Sequence, residues 1–288
     1  MKDLTLVFPQ WQGAIDNMAL FDGAVLLAEN IPGLPAVSTV EIPPLKALKT
    51  CDSIAGKGDI VSQLGSACKT IKTENPDRIL LLGGDCSTET GPVSWMNEKY
   101  SDRLALIWFD AHPDLNTPLT TKSGRMQGMA LSAILGNGGM DITKTMFKPL
   151  MPRQVFCAGV REFDPPELDF ITENKIPFFG PGELERDPAW LAKQICKAGF
   201  SKVYIHIDVD AINPMGFPHS KPSPPAGLPF GRTLKMIEEI KNRLDICGLG
   251  LTEFHPGNER GVEKVQELII TALDGFLLGE GLIATKDH

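Results

Sequence analysis

The chain has 288 residues, of which 42% are hydrophobic and 22% are charged, and its formal net charge at pH 7 is −8. This apolar content excludes a disordered chain. The acidic balance, without any block of basic residues, argues against a nucleic-acid partner. The length suits one large α/β domain, so residues 1–288 are expected to form a single domain.

Neither a membrane span nor a signal peptide is expected from the sequence. The longest apolar stretch, near the C-terminus, is interrupted by Asp274 and Glu280, which argues against a membrane helix. Too few residues precede Pro9 to form the apolar core of a signal peptide. The six cysteines include no CxxC pair, which favours reduced thiols. A soluble cytoplasmic protein without a membrane partner is therefore expected.

Short apolar runs bounded by glycine or proline alternate along the chain with amphipathic patterns. The apolar runs predict strands at Leu4–Phe8, Ala36–Ile42, Arg78–Leu82, Leu104–Phe109, Gln154–Ala158, Ile176–Phe179, Val203–Ile207 and Ile246–Leu251. The amphipathic patterns predict helices that include Asp59–Glu74, Met126–Leu135, Pro188–Ala198, Thr233–Leu244 and Gly261–Leu277. This alternation predicts an α/β fold with three layers, in which helices flank a mainly parallel sheet of eight strands. The proline-rich stretch Asn213–Pro229 is interpreted as a functional loop.

Four of the predicted strands run directly into polar sequences. These sequences are 83–87 (GGDCS), 110–114 (DAHPD), 208–210 (DVD) and 252–253 (TE). All four follow the carboxyl ends of strands, and ligands of open α/β sheets bind at that edge. An Asp in such a place can also be only a helix cap. For Asp85, a cap and a role in supporting a metal ligand both stay open.

The spacing within two of these sequences indicates a metal site. Residues two apart on an extended chain point to the same face, so Asp110, His112 and Asp114 can converge, and so can Asp208 and Asp210. If the two strands are neighbours, four carboxylates and an imidazole meet, and each negative charge raises the pKa of the others. A divalent cation compensates this charge. Carboxylate and imidazole together favour Mn²⁺, Zn²⁺, Fe²⁺, Co²⁺ or Ni²⁺ over Ca²⁺.

These motifs resemble those of the ureohydrolases, the family of arginase, agmatinase and formiminoglutamase. The segment Asp110–Thr121, followed by Ser123-Gly124, is most similar to arginase itself. The sequences at 83–85, 208–211 and 252–254 are similar to other motifs of the family. The resemblance implies an arginase-like fold and a hydrolase that cleaves guanidino or formimino C–N bonds at two divalent ions, with manganese as the first choice. It also implies a small-molecule substrate and a homo-oligomer, either a trimer or a hexamer.

The resemblance further implies a role for each matching residue. One metal would be held by Cys86, Asp110, Asp114 and Asp208, and the other by Asp110, His112, Asp208 and Asp210. A hydroxide that bridges the two metals would attack the substrate carbon, because paired cations lower the pKa of a shared water. Asp114 would orient this hydroxide and Glu253 would anchor the guanidinium. Urea, or formamide or ammonia, would be released.

Two positions depart from arginase near the expected metals. Arginase has His where this chain has Cys86. A thiolate there would shift the preference from Mn²⁺ toward Zn²⁺, Fe²⁺, Co²⁺ or Ni²⁺, whereas a neutral buried thiol would leave the first metal weakly held. Arginase also has a proton-carrying His at the position of Gln127, and glutamine does not titrate. His206 and His255 are candidates for the missing proton carrier, or are simply hydrogen-bonded core histidines.

Substrate contacts are implied for Asn116, Ser123, Arg125, Gln127 and Glu253. Arginase has Asn at the position of Arg125, and an Arg there would hold a substrate carboxylate more strongly. Acidic guanidino or formimino compounds would then be favoured over agmatine. The alternative is an Arg125 that only meets solvent.

Two other functions stay open beside the hydrolase. One is a catalytically impaired or regulatory protein that retains the arginase fold and part of the metal site. The other is a deacetylase of similar architecture, which the arginase-like run Asn116–Thr121 disfavours.

Overall fold

The structure is a computed structural model that describes residues 1–15, 18–44, 47–220, 224–256 and 259–277. The strands in this part of the chain are β1 Asp3–Phe8, β2 Val37–Thr39, β3 Thr50–Cys51, β4 Ile54–Ala55, β5 Arg78–Gly83, β6 Leu104–Phe109, β7 Val155–Ala158, β8 Phe178–Phe179, β9 Lys202–Asp208 and β10 Asp245–Thr252. Eight of them form one parallel sheet in the order β2-β1-β5-β10-β9-β6-β7-β8. Strands β3 and β4 form a separate antiparallel pair. The predicted sheet of eight mainly parallel strands is confirmed.

Helices connect the strands. They are α1 Met18–Asn30, α2 Lys57–Glu74, α3 Thr90–Tyr100, α4 Ala130–Ile134, α5 Met140–Thr145, α6 Pro165–Asn174, α7 Pro181–Leu184, α8 Trp190–Lys197, α9 Phe230–Lys241 and α10 Glu259–Ala272. Among the described residues, none of the helices combines the length and the apolar character that crossing a membrane requires.

The helices cover both faces of the sheet, which gives three layers. One core joins the sheet to apolar residues of α1, α8, α9 and α10, and the other joins it to residues of α2, α3, α4 and α6. Alternation along β9 shows how one strand serves both cores: Val203, Ile205 and Ile207 face the first, while Tyr204 faces the second. A parallel strand buried on both faces is therefore a continuous apolar run, which is the pattern seen in the sequence.

Several predicted elements have other bounds in the structure: the strands predicted at Ala36–Ile42 and Ile176–Phe179 are shorter, and α9 begins and ends three residues earlier than predicted. Two predicted helices differ in further ways. The helix predicted over Met126–Leu135 is a 3-10 turn at Gln127–Met129 followed by only five α-helical residues. The helix predicted to reach Leu277 ends at Ala272, where the chain enters a turn that contains Gly275 in a left-handed conformation with φ 61°. Glycine adopts this conformation without a steric penalty, and it ends many helices.

The sheet order decides where the polar strand ends lie. Strands β5, β10, β9 and β6 are consecutive neighbours, although they come from distant parts of the chain. All four are parallel, so their carboxyl ends share one edge of the sheet. The four polar sequences therefore meet in one region.

Close contact between the ends of β1 and β5 supports one of these polar sequences. A Cβ atom at Gly84 would lie 1.9 Å from the carbonyl oxygen of Gln10, so Gly84→Ala should force the two backbones apart. We expect the free energy of unfolding to fall by about 1–3 kcal/mol or more, as at other overpacked sites. Denaturant titration measures this change. The control Gly58→Ala, where no atom lies within 4 Å of the added Cβ, should change it by less than about 1 kcal/mol, and equal effects would contradict the packing argument.

Candidate metal centre

A cleft of about 350 Å³ opens at the carboxyl edge of the sheet. The residues that line it come from the ends of β5, β6, β7, β9 and β10 and from the loops that follow. They are Cys86, His112, Asp114, Asn116, Ser123, Arg125, Gln127, Gly128, Glu162, Phe163, Asp164, Glu167, Asp208, Asp210, Ser220 and Glu253. Asp110 lies beneath the cleft and is fully buried.

The ends of β6 and β9 form one group of metal-ligating atoms. Ligand atoms of Asp110, His112 and Asp210 lie within 4.8 Å of one another. The His112 Nδ1 atom is 3.1 Å from Asp210 Oδ2 and 3.4 Å from Asp110 Oδ1. The backbone N–H of Ala111 donates to Asp210 Oδ1 at 3.0 Å, so the two strand ends are fixed relative to each other.

The ends of β5, β9 and β10 form a second group, which consists of Cys86, Asp208 and Glu253. The thiol of Cys86 donates to Asp208 Oδ2 at 3.3 Å, and the backbone N–H of Cys86 donates to Glu253 Oε1 at 3.3 Å. Cys86, Asp110 and His206 form a third group with ligand atoms within 4.8 Å. Cys86 and Asp110 thus belong to more than one possible ligand set.

The acidic groups of the cleft are electrostatically frustrated without a cation. Burial, and then the charges of neighbouring carboxylates, raise the pKa of Asp114, Asp208, Asp210 and Glu253. Burial and the charge of Asp208 also hold the pKa of the Cys86 thiol well above its usual range. Like charges in a site that excludes water oppose each other's ionisation. Protons or cations must therefore neutralise the cluster.

Imidazoles supply part of this neutralisation. Burial opposes the charged form of His112, but hydrogen bonds and charges from Asp110 and Asp210 raise its pKa to about 12. In the same way, burial opposes ionisation of Asp110, but His112 and His206 lower its pKa.

The donor set fits divalent metal ions. Oxygen, imidazole nitrogen and sulfur atoms converge, and these are ligands of transition metals. The Asp114 Oδ2 atom is buried and accepts no hydrogen bond from the described residues. An unpaired buried carboxylate oxygen is costly, and coordination of a cation, or a hydrogen bond from a water beside one, would remove this cost.

The backbone is held in a rare conformation at two of these carboxylates. Asp114 has φ 51° and Glu253 has φ 61°, both in the left-handed region. Hydrogen bonds maintain the two conformations: Ser132 N–H donates to the Asp114 carbonyl at 3.1 Å, and Glu253 N–H donates to the Gly84 carbonyl at 2.7 Å. Non-glycine residues in this region cost of order 1 kcal/mol or more and concentrate at functional sites.

Asp85 serves as a cap and a tether and does not line the cleft. Its carboxylate accepts hydrogen bonds from Ser87 N–H at 3.0 Å, Gly13 N–H at 2.9 Å and Gln10 Nε2 at 3.2 Å. The first of these bonds caps the 3-10 turn that begins at Cys86. Asp85 therefore fixes the position of Cys86 as a cap, and its role in supporting a metal ligand stays a prediction.

All five residues expected to contact substrate line the cleft. Glu253 follows β10, and the other four lie between β6 and α4. Ser123 and Arg125 are exposed, and Arg125 pairs with no carboxylate among the described residues. Asn116 is buried and already bonded, because its Nδ2 donates to Asp164 Oδ2 at 3.2 Å and its Oδ1 accepts from Thr120 at 3.0 Å. The Gln127 Oε1 atom is buried without a hydrogen-bond partner among the described residues.

Sequence reasoning missed the segment after β7. Glu162, Phe163, Asp164 and Glu167 line the cleft, and Glu167 accepts hydrogen bonds from Leu115 N–H at 2.9 Å and Asp164 N–H at 2.8 Å. This carboxylate therefore ties the loop of the metal ligands to the start of α6. The predicted strand Gln154–Ala158 carried the signal, because residues that follow a parallel strand lie at its carboxyl edge.

Fold and cleft together define an α/β protein with a candidate divalent-metal centre at the carboxyl edge of a parallel sheet. The chain belongs to the arginase family, whose family model matches residues 34–276. This membership confirms the resemblance inferred from the motifs, and with it the expected enzyme class, a hydrolase of this family.

Individual relatives agree with the family match. The chain is 25% identical over 283 residues to an arginase of Staphylococcus aureus, an alignment that covers 95% of this chain and 90% of the relative. It is 30% identical over 210 residues to the arginase of Bacillus caldovelox, which covers 71% of this chain and 69% of the relative. Its fold resembles the crystal structure of Entamoeba histolytica arginase in complex with L-ornithine, with a TM-score of 0.85 at 21% identity, covering 95% of this chain and 99% of the other.

The pKa shifts predict a pH-dependent effect of metal on stability. The Asp114 and Asp208 carboxyls have a higher pKa in the folded protein than in the unfolded chain, where the pKa is near 4. Above about pH 4 the folded protein therefore binds more protons than the unfolded chain does. Without metal, the free energy of unfolding falls as the pH rises through this range. Bound cations take the place of these protons. Added Mn²⁺ or Zn²⁺ should therefore raise the melting temperature of chelator-treated protein more at pH 8 than at pH 6. A difference of about 1 kcal/mol corresponds to roughly 2 °C or more.

Asp208→Asn provides the control for this measurement, because Asp208 belongs to the cluster that would hold the cation. The variant should lose most of the metal-dependent shift at both pH values. A wild-type shift that is equal at the two pH values, or larger at pH 6, would contradict the proton–metal exchange.

Proposed function

We propose that this chain is a metal-dependent hydrolase that cleaves a guanidino or formimino C–N bond in the cleft, with residues 1–288 forming one such domain. The observation that carries the proposal is the convergence of Asp110, His112, Asp114, Asp208 and Asp210 from two neighbouring strands, with Glu253 beside them. Membership of the arginase family and relatives named arginase support the same reaction class.

We infer that the cleft holds two divalent ions. Asp110, His112, Asp208 and Asp210 would hold one, and Cys86, Asp110, Asp114 and Asp208 would hold the other. When bound, paired cations of this kind lower the pKa of a water toward neutrality and so supply a nucleophile. Mn²⁺ is the first choice of metal for the carboxylate-rich set, with Zn²⁺, Ni²⁺, Co²⁺ or Fe²⁺ favoured to the degree that Cys86 ligates as thiolate.

The remaining residues bind and orient the reactants. Asp114 Oδ2 accepts a hydrogen bond from the attacking water, takes up its proton and passes this proton to the leaving nitrogen as the C–N bond breaks. Glu253 presents a buried carboxylate that pairs with the substrate guanidinium, and this charge also relieves the repulsion that raises the pKa of Glu253. Gln127 Oε1, which lacks a partner among the described residues, accepts a hydrogen bond from a substrate N–H.

The outer part of the cleft selects the substrate. Arg125, with Ser123 and Asn116, binds a carboxylate at the far end of the molecule, because a guanidinium holds a carboxylate through two hydrogen bonds. Guanidino or formimino acids are therefore favoured over agmatine. The cytoplasm is the proposed location, since all six cysteines are free, and a homotrimer or homohexamer is the proposed assembly.

A screen of substrates and metals tests the reaction directly. Urea, formamide and ammonia release should be measured with arginine, other guanidino acids, agmatine and formiminoglutamate, each with Mn²⁺, Ni²⁺, Zn²⁺ and Co²⁺. At least one of the compounds that carry a carboxylate should be hydrolysed, and Asp208→Asn should abolish its turnover. The proposal would be overturned if protein that holds close to two ions per chain hydrolyses none of the compounds in the screen.

Glu253→Gln tests the guanidinium contact. The change removes the negative charge but keeps the shape, so kcat/KM for the hydrolysed substrate should fall about 10- to 100-fold, the range for a lost charged hydrogen bond. Metal content, measured in parallel by elemental analysis, should stay near wild type. The matched control is Glu173→Gln on the exposed side of α6, which should leave the kinetics unchanged.

A different pattern would reassign this residue. If Glu253→Gln loses metal in proportion to activity, Glu253 acts as a ligand together with Cys86 and Asp208 and not as the substrate anchor.

Arg125→Ala tests substrate choice. We expect KM for a guanidino or formimino acid to rise about 5- to 10-fold, a modest effect because the side chain is exposed. The KM of agmatine, which has no carboxylate, should not rise. Lys122→Ala removes the same charge from the same loop at a side chain that does not itself line the cleft, although its Nζ lies 3.8 Å from Asp164 Oδ1. An equal rise of KM in that control would point to general electrostatic attraction instead.

One observation favours a catalytically impaired or regulatory protein as the second candidate. The Cys86 thiol is buried and donates to Asp208 Oδ2, and burial keeps its pKa high, so a neutral thiol suits the metal-free cluster. Protein purified without added metal that contains fewer than one ion per chain, and that turns over no compound in the screen, would establish this candidate.

A further inference from the structure

A buried polar cluster lies next to the metal cleft, and it contains none of the residues that the resemblance assigns as metal ligands or substrate contacts. Its members are Glu89, Tyr204 and His206, and each is fully buried. The Tyr204 hydroxyl donates to Glu89 Oε2 at 2.7 Å, and His206 Nδ1 lies 2.9 Å from Glu89 Oε1. Both oxygens of Glu89 are therefore engaged, and His206 is held from one side of its ring.

The sheet makes room for this cluster at two glycines of β10. A Cβ atom at Gly250 would lie 1.7 Å from Glu89 Oε1, and one at Gly248 would lie 2.4 Å from the ring of Tyr204. The ring of His206 also stacks on Trp108, with 3.5 Å between centroids and 20° between planes. The orientation of the imidazole is thus fixed by packing as well as by hydrogen bonding.

The hydrogen bonds determine which nitrogen of His206 is available. A carboxylate oxygen only accepts, so Nδ1 carries the proton that is donated to Glu89. In the neutral ring, Nε2 then has a free lone pair. This atom is buried and has no hydrogen-bond partner among the described residues.

The free nitrogen is aimed at metal-ligating atoms. His206 Nε2 lies 3.7 Å from Asp110 Oδ2, too far for a hydrogen bond, and Asp110 Oδ2 already accepts from Trp108 Nε1 at 3.1 Å. Ligand atoms of Cys86, Asp110 and His206 lie within 4.8 Å of one another. A lone pair that faces a carboxylate oxygen is unfavourable unless a proton or a metal cation lies between them.

We propose that His206 Nε2 is a ligand of the metal position that includes Cys86 and Asp110, with Glu89 and Tyr204 as positioning residues. His206 lies on β9 two residues before Asp208, so the two side chains are on the same face of the strand. Sulfur, imidazole and carboxylate form a mixed set that selects Zn²⁺, Co²⁺, Ni²⁺ or Fe²⁺ over Mn²⁺. This inference rests on the metal centre of the proposed function but not on the identity of the substrate.

This arrangement explains why the carboxylate of Glu89 is fully buried. Histidines that bind metal commonly donate their other ring N–H to a carboxylate, which fixes the tautomer and makes the ligand more basic. Glu89 occupies this place behind His206, and the Tyr204 hydroxyl holds Glu89 in turn.

Cobalt binding to the full-length protein tests the assignment. Chelator-treated wild type should bind two Co²⁺ per chain in a competition titration, and one of them should show the thiolate-to-cobalt absorption of Cys86. In His206→Gln the affinity for this ion should fall by more than 100-fold, because loss of a ligand costs more than the roughly 10- to 100-fold of a lost outer hydrogen bond. Glu89→Gln should weaken it by about 10- to 100-fold.

His219→Gln is the matched control for the loss of a buried histidine. His219 packs between Phe217 and Phe254 and does not line the cleft. Its variant should bind both Co²⁺ ions with wild-type affinity. Wild-type affinity for both ions in His206→Gln as well would overturn the proposal.

A spectroscopic measurement on the wild type avoids any dependence on a variant that fails to fold. With ¹¹³Cd²⁺ and ¹⁵N-labelled histidine, cadmium should couple to one Nδ1 nitrogen and one Nε2 nitrogen. His112 presents Nδ1 to Asp110 and Asp210, so the Nε2 coupling reports His206. Coupling to the Nδ1 nitrogen alone would overturn the proposal while leaving the metal centre intact, whereas wild type that binds neither Co²⁺ nor Cd²⁺ would overturn the metal centre as well.

Discussion

The structure depends on several carboxylates that lie close together in a buried site. Parallel strands direct carboxylates to one edge of the sheet, and burial denies these groups the solvent that would stabilise their charges. Asp110 and Asp208 lie on neighbouring strands and are almost completely buried. A cluster of this kind is compatible with the fold only when protons or metal cations compensate its charge, so the same repulsion that opposes folding favours the binding of cations.

The surrounding fold is arranged to hold these groups in spite of their repulsion. Asp85 ties the end of β5 to the segment after β1, and the backbone N–H of Ala111 ties the end of β6 to Asp210. The left-handed conformations of Asp114 and Glu253 turn both carboxylates toward the cleft at a cost in backbone energy. The packed cores on the two faces of the eight-stranded sheet offset this energy, because they leave the strand ends little freedom to separate.

Membership of the arginase family explains the framework, and the departures from arginase describe what is particular to this chain. Cys86 follows β5, and His206 on β9, which β10 separates from β5, presents an imidazole with Glu89 behind it. These differences are mutually consistent in space, since Gly250 leaves the volume that Glu89 fills. At the outer cleft, Arg125 places an exposed positive charge in the lining. These features lie at the cleft and leave the fold of the family unchanged.

The sequence by itself determined the α/β class, the eight strands of the sheet and the motifs that carry the candidate metal ligands, because strand pattern and residue spacing are local properties of the chain. It did not reveal that α4 is only one turn long, or that Glu162 and Glu167 line the cleft. Only the tertiary structure decided that β6 and β9 are neighbours, and that Glu89, which belongs to no motif, supports His206. The order of strands in a sheet and the filling of buried volume depend on contacts between residues far apart in the chain, and no local pattern records them.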